Sequence, residues 1–253
     1  MPNLYDFNIL PLTVADQQMH IERSEQFLAA PGLRPVLYWS QAEPCGLVLG
    51  FSQQTSILNP QALSSTNLPV YHRRAGGTAV LVGSDLLDLD VILPPDHPLV
   101  LSDLVESYRW LGETWVRALD LLGVSSRVVT PTESRELRER ARQPVHQARE
   151  AILRRACYAS NSAYEVVVGQ RKVVGLCMIR RRTGTLLQAG VVLHWENELL
   201  AQLLGHTDDE QALLRAELPE RAVGLDELVG RSVGIEEVMS AFAEALANIV
   251  AQG

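Results

Sequence analysis

The segment that decides the fold spans residues 157–194 and reads CYASNSAYEVVVGQRKVVGLCMIRRRTGTLLQAGVVLH. It contains three strand-like runs separated by two turn-forming dipeptides, namely 164–168, 172–178 and 185–194 with Gly169-Gln170 and Thr183-Gly184 between them. The spacing predicts two consecutive β-hairpins. A cysteine precedes the first strand, a lysine opens the second, and three arginines follow it, so the same segment carries candidate chemistry.

The bulk composition limits the class of protein. A length of 253 residues suits one large domain, or a large domain with a small appendage. No apolar run approaches the ~20 residues that span a bilayer, and the N-terminus lacks a basic signal-peptide start, so we expect a cytoplasmic protein without membrane contact. The net charge of −8 argues against general nucleic-acid binding. Three cysteines without CxxC spacing predict reduced thiols and no metal site.

The remaining chain alternates short strands with amphipathic helices. Strands are predicted at 36–39, 46–50, 70–72, 79–82, 87–93 and 124–130, and helices at 14–30 (capped by Thr13), 102–123, 197–204, 208–218, 225–229 and 235–251. Residues 132–155 have no apolar stripe, which predicts an exposed helical insertion. This order favours an α+β fold in which helices flank a mixed, antiparallel-rich sheet.

Charge is distributed unevenly along the chain. Residues 132–155 contain seven arginines against four glutamates, whereas 196–244 contain twelve acids and three arginines. Solvated helix faces explain this pattern, and a docking surface for an acidic carrier protein is the alternative.

A glycine-containing loop, Arg73-Arg74-Ala75-Gly76-Gly77-Thr78, lies between two predicted strands. Adjacent glycines allow the backbone to approach a bound group closely, and the two arginines suit a phosphate or carboxylate. The pattern matches neither a Walker loop nor GxGxxG. A plain turn or bulge is the alternative interpretation.

Lys172 and Cys157 are the candidate reactive side chains. Lys172 opens an apolar strand, where it would hold a carbonyl or phosphate oxygen as a point charge; otherwise it is a solvated hairpin residue. Cys157 follows Arg154-Arg155, and nearby cations lower the pKa of a thiol and favour the thiolate that acyl transfer needs. Otherwise Cys157 is inert, as we expect for Cys45 and Cys177.

Several of these segments resemble signatures of the lipoate–protein ligase and octanoyltransferase family, relatives of the biotin–protein ligases. The matching segments are Arg73–Leu81 (RRAGGTAVL), Gln170–Gly175 (QRKVVG), Arg180–Arg182 with Leu187–Gly190 (RRR and LQAG), and Leu228–Val233 (LVGRSV). Cys157–Glu165 resembles the segment of the cysteine-dependent members in which a cysteine carries the acyl group, fifteen residues before a motif lysine. Cys157 and Lys172 keep that separation.

The resemblance implies a biotin/lipoate protein ligase-like fold, with an acyltransferase catalytic domain over 1–205 and a helical segment over 206–253 packed on it. It implies transfer of an octanoyl or lipoyl group from an acyl carrier protein or lipoyl protein to a lysine of a lipoyl domain, in the glycine cleavage H protein or a dehydrogenase E2. Cys157, as a thioester, and Lys172 are the expected catalytic residues, and no cofactor is expected. The expected substrate-binding residues are Arg73, Arg74, Gly76, Gly77, Thr78, Val80, Val174, Gly175, Leu187 and Gln188; Val80, Val174 and Leu187 would line an acyl slot.

Two other readings of the resemblance stay open. In an ATP-dependent lipoate–protein ligase, ATP and Mg²⁺ would form lipoyl-AMP, and Gly76-Gly77 and Lys172 would face its phosphate. A non-catalytic acyl- or carrier-binding protein on the same fold is the other reading. Val82 replaces the histidine that ends the family's first signature. A general base is therefore unassigned, with three candidates: His72, His194 and His206.

Overall fold

The predicted hairpins lie within a mixed sheet in the computed structural model, which describes residues 7–30, 32 and 34–250. The strands are β1 (Asn8–Ile9), β2 (Thr13–Ala15), β3 (Val36–Ala42), β4 (Gly46–Leu49), β5 (Val70–His72), β6 (Val80–Val82), β7 (Leu86–Leu93), β8 (Arg127–Val128), β9 (Val166–Val168), β10 (Arg171–Arg181) and β11 (Gly184–Val192). The large sheet has the order β1-β3-β7-β11-β10-β9-β8, with β2 paired to β3, and a small sheet has the order β5-β4-β6. Because only β1 and β2 run parallel to a neighbour in the large sheet, the predicted antiparallel-rich α+β class is confirmed.

Helices cover the large sheet and connect the strands. They are α1 (Gln17–Ala29), α2 (Pro60–Thr66), α3 (Arg109–Leu121), α4 (Pro131–Arg142), α5 (Pro144–Leu153), α6 (Glu198–Leu204), α7 (Asp208–Glu217), α8 (Leu225–Val229) and α9 (Ile235–Val250). The rings of Trp39, Trp115 and Phe242, from β3, α3 and α9, pack with centroids 4.6–6.0 Å apart. Burial of each such ring contributes on the order of 1.5–3 kcal/mol, so these contacts fix both helices on one sheet face.

Both predicted hairpins are present. Gly169 takes the left-handed conformation (φ 61°) that the first turn requires, and residues 182–183 connect β10 to β11. β10 pairs with β11 in an unbroken register from Val174↔Val191 to Arg181↔Gly184. Its register against β9 shifts between Lys172 and Val174, which marks a β-bulge beside the lysine.

Backbone hydrogen bonds tie the two candidate reactive residues to distant parts of the chain. The Cys157 N–H donates to the Ala79 carbonyl at 2.8 Å, which joins it to the start of the small-sheet strand β6. The Lys172 N–H donates to the Arg221 carbonyl at 2.7 Å, and the Val223 N–H donates to the Lys172 carbonyl at 3.0 Å. Three segments that are remote in sequence therefore set the positions of these two residues.

The structure corrects two predicted helices. Thr13 lies in strand β2, and the N-cap of α1 is Asp16, whose carboxylate accepts the Gln18 N–H at 2.8 Å. The helix predicted from Ser102 begins later, with a 3₁₀ turn over Glu106–Tyr108 that leads into α3.

The predicted insertion at 132–155 consists of α4 and α5. It is less exposed than expected because Leu153 is fully buried, in a cluster with residues of α6 and α7. The two helices separate at Gln143, and Pro144 begins α5, since proline suits the first helical turn.

Helices after residue 205 pack on the preceding part of the chain. Leu214 of α7 belongs to a cluster with Leu153, and Phe242 of α9 belongs to the cluster under the large sheet. The division at residue 205 stays a prediction, and these contacts show that the second segment has no separate core among the described residues. Within the same residues, every helix is too short or too polar to cross a bilayer.

Candidate active site

A cavity of about 380 Å³ lies beside the sheet face opposite α3 and α9. Most of the expected site residues line it: Arg73, Gly76, Gly77, Thr78, Val80, Cys157, Lys172, Gly175 and Gln188. The volume falls within the range of about 300–1,000 Å³ that small-molecule sites occupy. The structure thus brings together two motifs that are about a hundred residues apart in the sequence.

Cys157 opens a 3₁₀ turn, Cys157–Ala159, shortly after α5 ends, and its side chain is half-buried. The Arg73 guanidinium contacts its sulfur, with Nη2 3.6 Å from Sγ, and also donates to the Thr78 carbonyl at 3.1 Å. A cation in this position stabilises negative charge on the sulfur. Arg155, one of the two cations expected near the thiol, pairs with Glu210 at 2.5 Å.

Lys172 is buried in an ion pair rather than solvated at a hairpin. Its Nζ lies 2.7 Å from Oε2 of Glu165, and the two side chains are 2% and 5% exposed. The same ammonium donates to the Cys157 carbonyl at 3.3 Å and lies 5.4 Å from the ring centroid of Tyr158. The ammonium is therefore held against the backbone of the candidate nucleophile.

Gly77 is required where the loop passes the reactive sulfur. Its φ of 101° is unfavourable for other residues, and an added Cβ would overlap Arg73 Nη2 and lie 3.7 Å from Cys157 Sγ. We expect Gly77→Ala to cost roughly 1–2 kcal/mol of stability from backbone strain and to slow acylation of Cys157 by displacing Arg73. Urea unfolding and acylation rates test this.

Gly76→Ala is the matched control, because a Cβ at Gly76 would meet no atom within 4 Å. It should leave the geometry between Arg73 and Cys157 intact. Equal effects of the two substitutions would contradict the role of Gly77.

Three expected site residues lie elsewhere. Arg74 is exposed and pairs with Glu25 at 3.4 Å outside the cavity. Val174 and Leu187 are fully buried in the cluster under α3 and α9, on the opposite sheet face. The acyl slot is therefore not lined by these two residues. Neighbouring strand residues face opposite sides, so Leu187 and Gln188 cannot share the cavity face.

The cavity floor contains two carboxyl groups that are not among the residues expected from the sequence. Asp88 and Asp90 alternate along β7, opposite Gly190 and Gln188 of β11. Asp90 is buried, and its carboxyl accepts hydrogen bonds from Ser24 and, at 2.8 Å, from Gln188 Nε2. The LDLD pattern over 87–90 was the available signal, because residues two apart on a strand share one face.

Both floor carboxyls hold protons more tightly than usual. Burial raises the pKa of Asp90 to about 6, although its hydrogen bonds to Ser24 and Gln188 oppose the shift. Burial and the neighbouring charge of Asp90 raise the pKa of the half-buried Asp88 to about 7, with Arg73 opposing. Near neutral pH the floor therefore carries less negative charge than two free carboxylates would.

We expect Asp88→Asn to flatten the pH dependence of stability. A pKa of about 7 in the folded state, above the ordinary value of 3.8, means that the folded protein binds the proton more tightly. Ionisation of Asp88 therefore lowers the free energy of unfolding as the pH rises from 3.8 to about 7. The asparagine variant should lose this fall and be more stable than the parent above pH of about 7.

Urea unfolding across the pH range measures this slope, and Asp85→Asn is the control because Asp85 is exposed on the turn before β7. If Asp88→Asn has the same dependence of unfolding free energy on pH as the parent, the raised pKa of Asp88 would be contradicted.

None of the three histidines proposed from the sequence lines the cavity. His72 is exposed at the end of β5, and His206 Nε2 lies 2.9 Å from the Ile57 carbonyl. His194 is paired with Asp226 at 2.6 Å, which raises the pKa of its imidazole. These positions separate all three from Cys157.

His20 lines the cavity instead, and burial lowers the pKa of its imidazole. Its Nε2 donates to the Gln41 carbonyl at 3.0 Å, because a carbonyl only accepts, and its Nδ1 then accepts from the Tyr38 hydroxyl at 2.7 Å. Both nitrogens are occupied, so His20 is a neutral structural residue in this arrangement.

Cys177 also lines the cavity but differs from Cys157 in its surroundings. Burial raises the pKa of Cys177 to about 12, with Arg73 opposing, and its thiol donates to Gln188 Oε1 at 3.5 Å. It therefore remains a thiol near neutral pH, whereas Cys157 has a guanidinium at its sulfur. This contrast singles out Cys157 as the nucleophile candidate.

Comparisons with known proteins show the family to which the chain belongs. A family model described as the lipoyl protein ligase A/B catalytic domain matches residues 18–247. Octanoyltransferase LipM of Exiguobacterium sp. is 30% identical over 222 residues, covering 87% of this chain and 77% of LipM. LipM of Exiguobacterium sibiricum is 33% identical over 219 residues, covering 85% of this chain and 75% of its own.

Solved structures show the same fold at lower identity. A structure of a bi-partite lipoate protein ligase and its E2 lipoyl domain from Thermoplasma acidophilum superposes with a TM-score of 0.72 at 17% identity, covering 95% of this chain and 81% of that chain. Lipoate-protein ligase A bound with ATP superposes with a TM-score of 0.69 at 17% identity, covering 95% of this chain and 83% of its own.

Proposed function

The chain belongs to the lipoyl protein ligase A/B catalytic domain family, and from that premise we propose that it is an acyltransferase that moves an octanoyl or lipoyl group onto a lysine of a lipoyl domain. The observation that carries this proposal is the convergence of Cys157, Lys172 and Arg73 on one cavity. A thiol beside a guanidinium, with an ammonium held nearby, suits attack on a thioester.

The first step forms an acyl-enzyme. The Cys157 thiolate attacks the carbonyl carbon of an acyl thioester, and a new C–S bond forms. The C–S bond to the carrier breaks, and the carrier leaves as a thiolate that takes a proton from water. Negative charge develops on the carbonyl oxygen during attack. The Lys172 ammonium and the Arg73 guanidinium are the cations available to stabilise it.

The second step transfers the acyl group to the acceptor. A lysine amine of the lipoyl domain attacks the thioester carbon, a C–N bond forms, and the Cys157 thiolate leaves. The proton that the amine loses passes to water. The product is an amide, and the enzyme returns to its starting state.

The cavity also suits an acyl chain of moderate length. Val80 and Met178 line it together with Gly175 and Gly190, where the absence of side chains makes room for the Tyr158 hydroxyl, which an added Cβ would approach to 3.4 Å and 2.9 Å. Burial of each methylene contributes ~0.8 kcal/mol, so an eight-carbon chain would add several kcal/mol to binding. Asp90 of β7 and Gln188 of β11 form a polar pair two residues along the strands from the paired residues Asp88 and Gly190.

We propose an acyl carrier protein as the donor, and the H protein of glycine cleavage or a dehydrogenase E2 as the acceptor. Helices α4 and α5 support this because they present arginines to solvent, which suits an acidic carrier. The cysteines, which are unpaired among the described residues, suit the reducing cytoplasm that we propose as the location.

Intact-mass spectrometry of the protein with octanoyl-loaded carrier protein tests the proposal. We expect a mass increase of one octanoyl group that hydroxylamine removes, followed by its loss and a matching gain when a lipoyl domain is added. Absence of both changes would contradict acyl transfer.

Two further reactions distinguish the alternatives. Lipoylation that requires free lipoate and ATP with Mg²⁺, and that releases pyrophosphate, would identify a ligase. An octanoyl group supplied on a lipoyl domain instead of the carrier tests amidotransfer, in which the donor bond is an amide. Tight binding to a lipoyl domain without any transfer would identify a non-catalytic protein.

A further inference from the structure

Lys172 is the single lysine in the 253-residue sequence, whereas the chain contains twenty-one arginines. It is also almost fully buried, with 1% of its surface exposed. In the proposed reaction the acyl acceptor is a lysine amine. The enzyme therefore carries one competing side chain of the acceptor's own chemistry, and that side chain lies in the site.

The position of Lys172 makes capture of the acyl group by the enzyme itself a chemical hazard. Its Nζ lies 3.3 Å from the carbonyl oxygen of Cys157, the residue that would carry the thioester. A neutral amine there would attack the thioester carbon: a C–N bond forms, the C–S bond breaks, and the amine proton passes to the departing thiolate. The amide product would inactivate the enzyme.

Glu165 forms an ion pair with the nitrogen that this side reaction would require. Its Oε2 lies 2.7 Å from Lys172 Nζ, and its carboxylate is fixed by the N–H groups of Ser162, at 2.6 Å, and Leu176, at 3.2 Å. An opposite charge at this distance favours the ammonium over the amine. An ammonium has three N–H donors and no lone pair, so it can stabilise an oxyanion but cannot attack.

We propose that Glu165 is a positioning residue that keeps Lys172 an ammonium and thereby prevents transfer of the acyl group from Cys157 to Lys172. The proposal rests on the proposed function, because it presupposes a Cys157 thioester. It explains how one buried cation serves acyl transfer without becoming the acceptor.

Glu165→Gln is the test variant, because the amide keeps the shape of the side chain and removes its charge. Burial without a counter-charge favours the neutral amine. We expect an octanoyl adduct that becomes resistant to hydroxylamine, at a resistant fraction about tenfold above that of the parent. Peptide mass spectrometry should locate the resistant adduct on Lys172.

Glu165→Asp preserves the charge and should remain hydroxylamine-labile. The double variant Glu165→Gln with Lys172→Arg removes the chain's lysine and should lose the resistant adduct. If Glu165→Gln does not fold by circular dichroism, Glu165→Ala replaces it, since water can then meet the two N–H donors.

The outcomes separate this proposal from the proposed function. An adduct on Cys157 that stays as hydroxylamine-labile as the parent's, in whichever of the two variants folds, would overturn the role of Glu165 and leave acyl transfer in place. A parent protein that never forms the adduct would overturn the proposed function itself. A resistant adduct on the N-terminal amine instead of Lys172 would also contradict the role of Glu165.

Discussion

Replacing Cys157 with serine is expected to abolish the hydroxylamine-labile acyl-enzyme and to lower the rate of transfer to a lipoyl domain by at least about 10³-fold, the scale seen when a nucleophile is removed. A serine hydroxyl is scarcely ionised near neutral pH and needs a general base to attack. His20, the histidine that lines the cavity, has both nitrogens hydrogen-bonded and cannot serve as that base. The Arg73 guanidinium favours an anion but accepts no proton.

The rate of octanoyl transfer, followed by intact mass of the lipoyl domain, measures this effect. Cys45→Ser is the matched control, because Cys45 is exposed and lies outside the cavity around Cys157. It should transfer at the parent rate. A Cys157→Ser protein that transfers as fast as the parent would eliminate the thioester mechanism.

Replacing Lys172 with methionine is expected to destabilise the fold by about 3–5 kcal/mol, because removal of one partner leaves a buried charge uncompensated. Glu165 is only 5% exposed in its side chain, so water cannot replace the lost ammonium. Its two N–H donors, Ser162 and Leu176, remain and should place the effect toward the lower end of that range. The variant should also lose transfer activity, because a cation beside the thioester is gone.

Urea unfolding measures the change in free energy, and two further variants interpret it. Arg171→Met removes the neighbouring residue's ion pair with Glu227, which is 32% and 59% exposed, and should cost only about 0–1 kcal/mol. Lys172→Met combined with Glu165→Gln should recover part of the loss, since no unpaired charge remains. Equal free energies of unfolding for Lys172→Met and Arg171→Met would contradict the prediction that loss of Lys172 leaves an uncompensated buried charge.

The hairpins were predictable because their signals are local. Gly169 sits at a position that needs a left-handed backbone, and the apolar runs on both sides of it fix the strands. The convergence of Cys157, Lys172 and Arg73 was predictable only through resemblance to a family. No spacing rule links residue 73 to residue 157, since their contact depends on how the small sheet meets the large one.

The side of the sheet that each residue faces was less predictable. Simple alternation from Lys172 places Val174 on the cavity side, but the bulge between them reverses the pattern, and Val174 packs in the core. Glu165 is recognisable in the sequence only as part of a motif, because no sequence pattern indicates that a glutamate and a lysine seven residues apart pair across a bulged hairpin. Asp88 and Asp90, by contrast, carried a readable alternation.

The solitary, buried amine at position 172 makes the protein a natural spectroscopic reporter. If the chain is grown with lysine enriched in ¹⁵N, every labelled side-chain nitrogen in the sample comes from the cavity that contains Cys157. This one resonance should shift when the neighbouring sulfur is acylated, when a partner protein binds, and when the acyl group is transferred. No mutagenesis and no assignment of other signals would be needed.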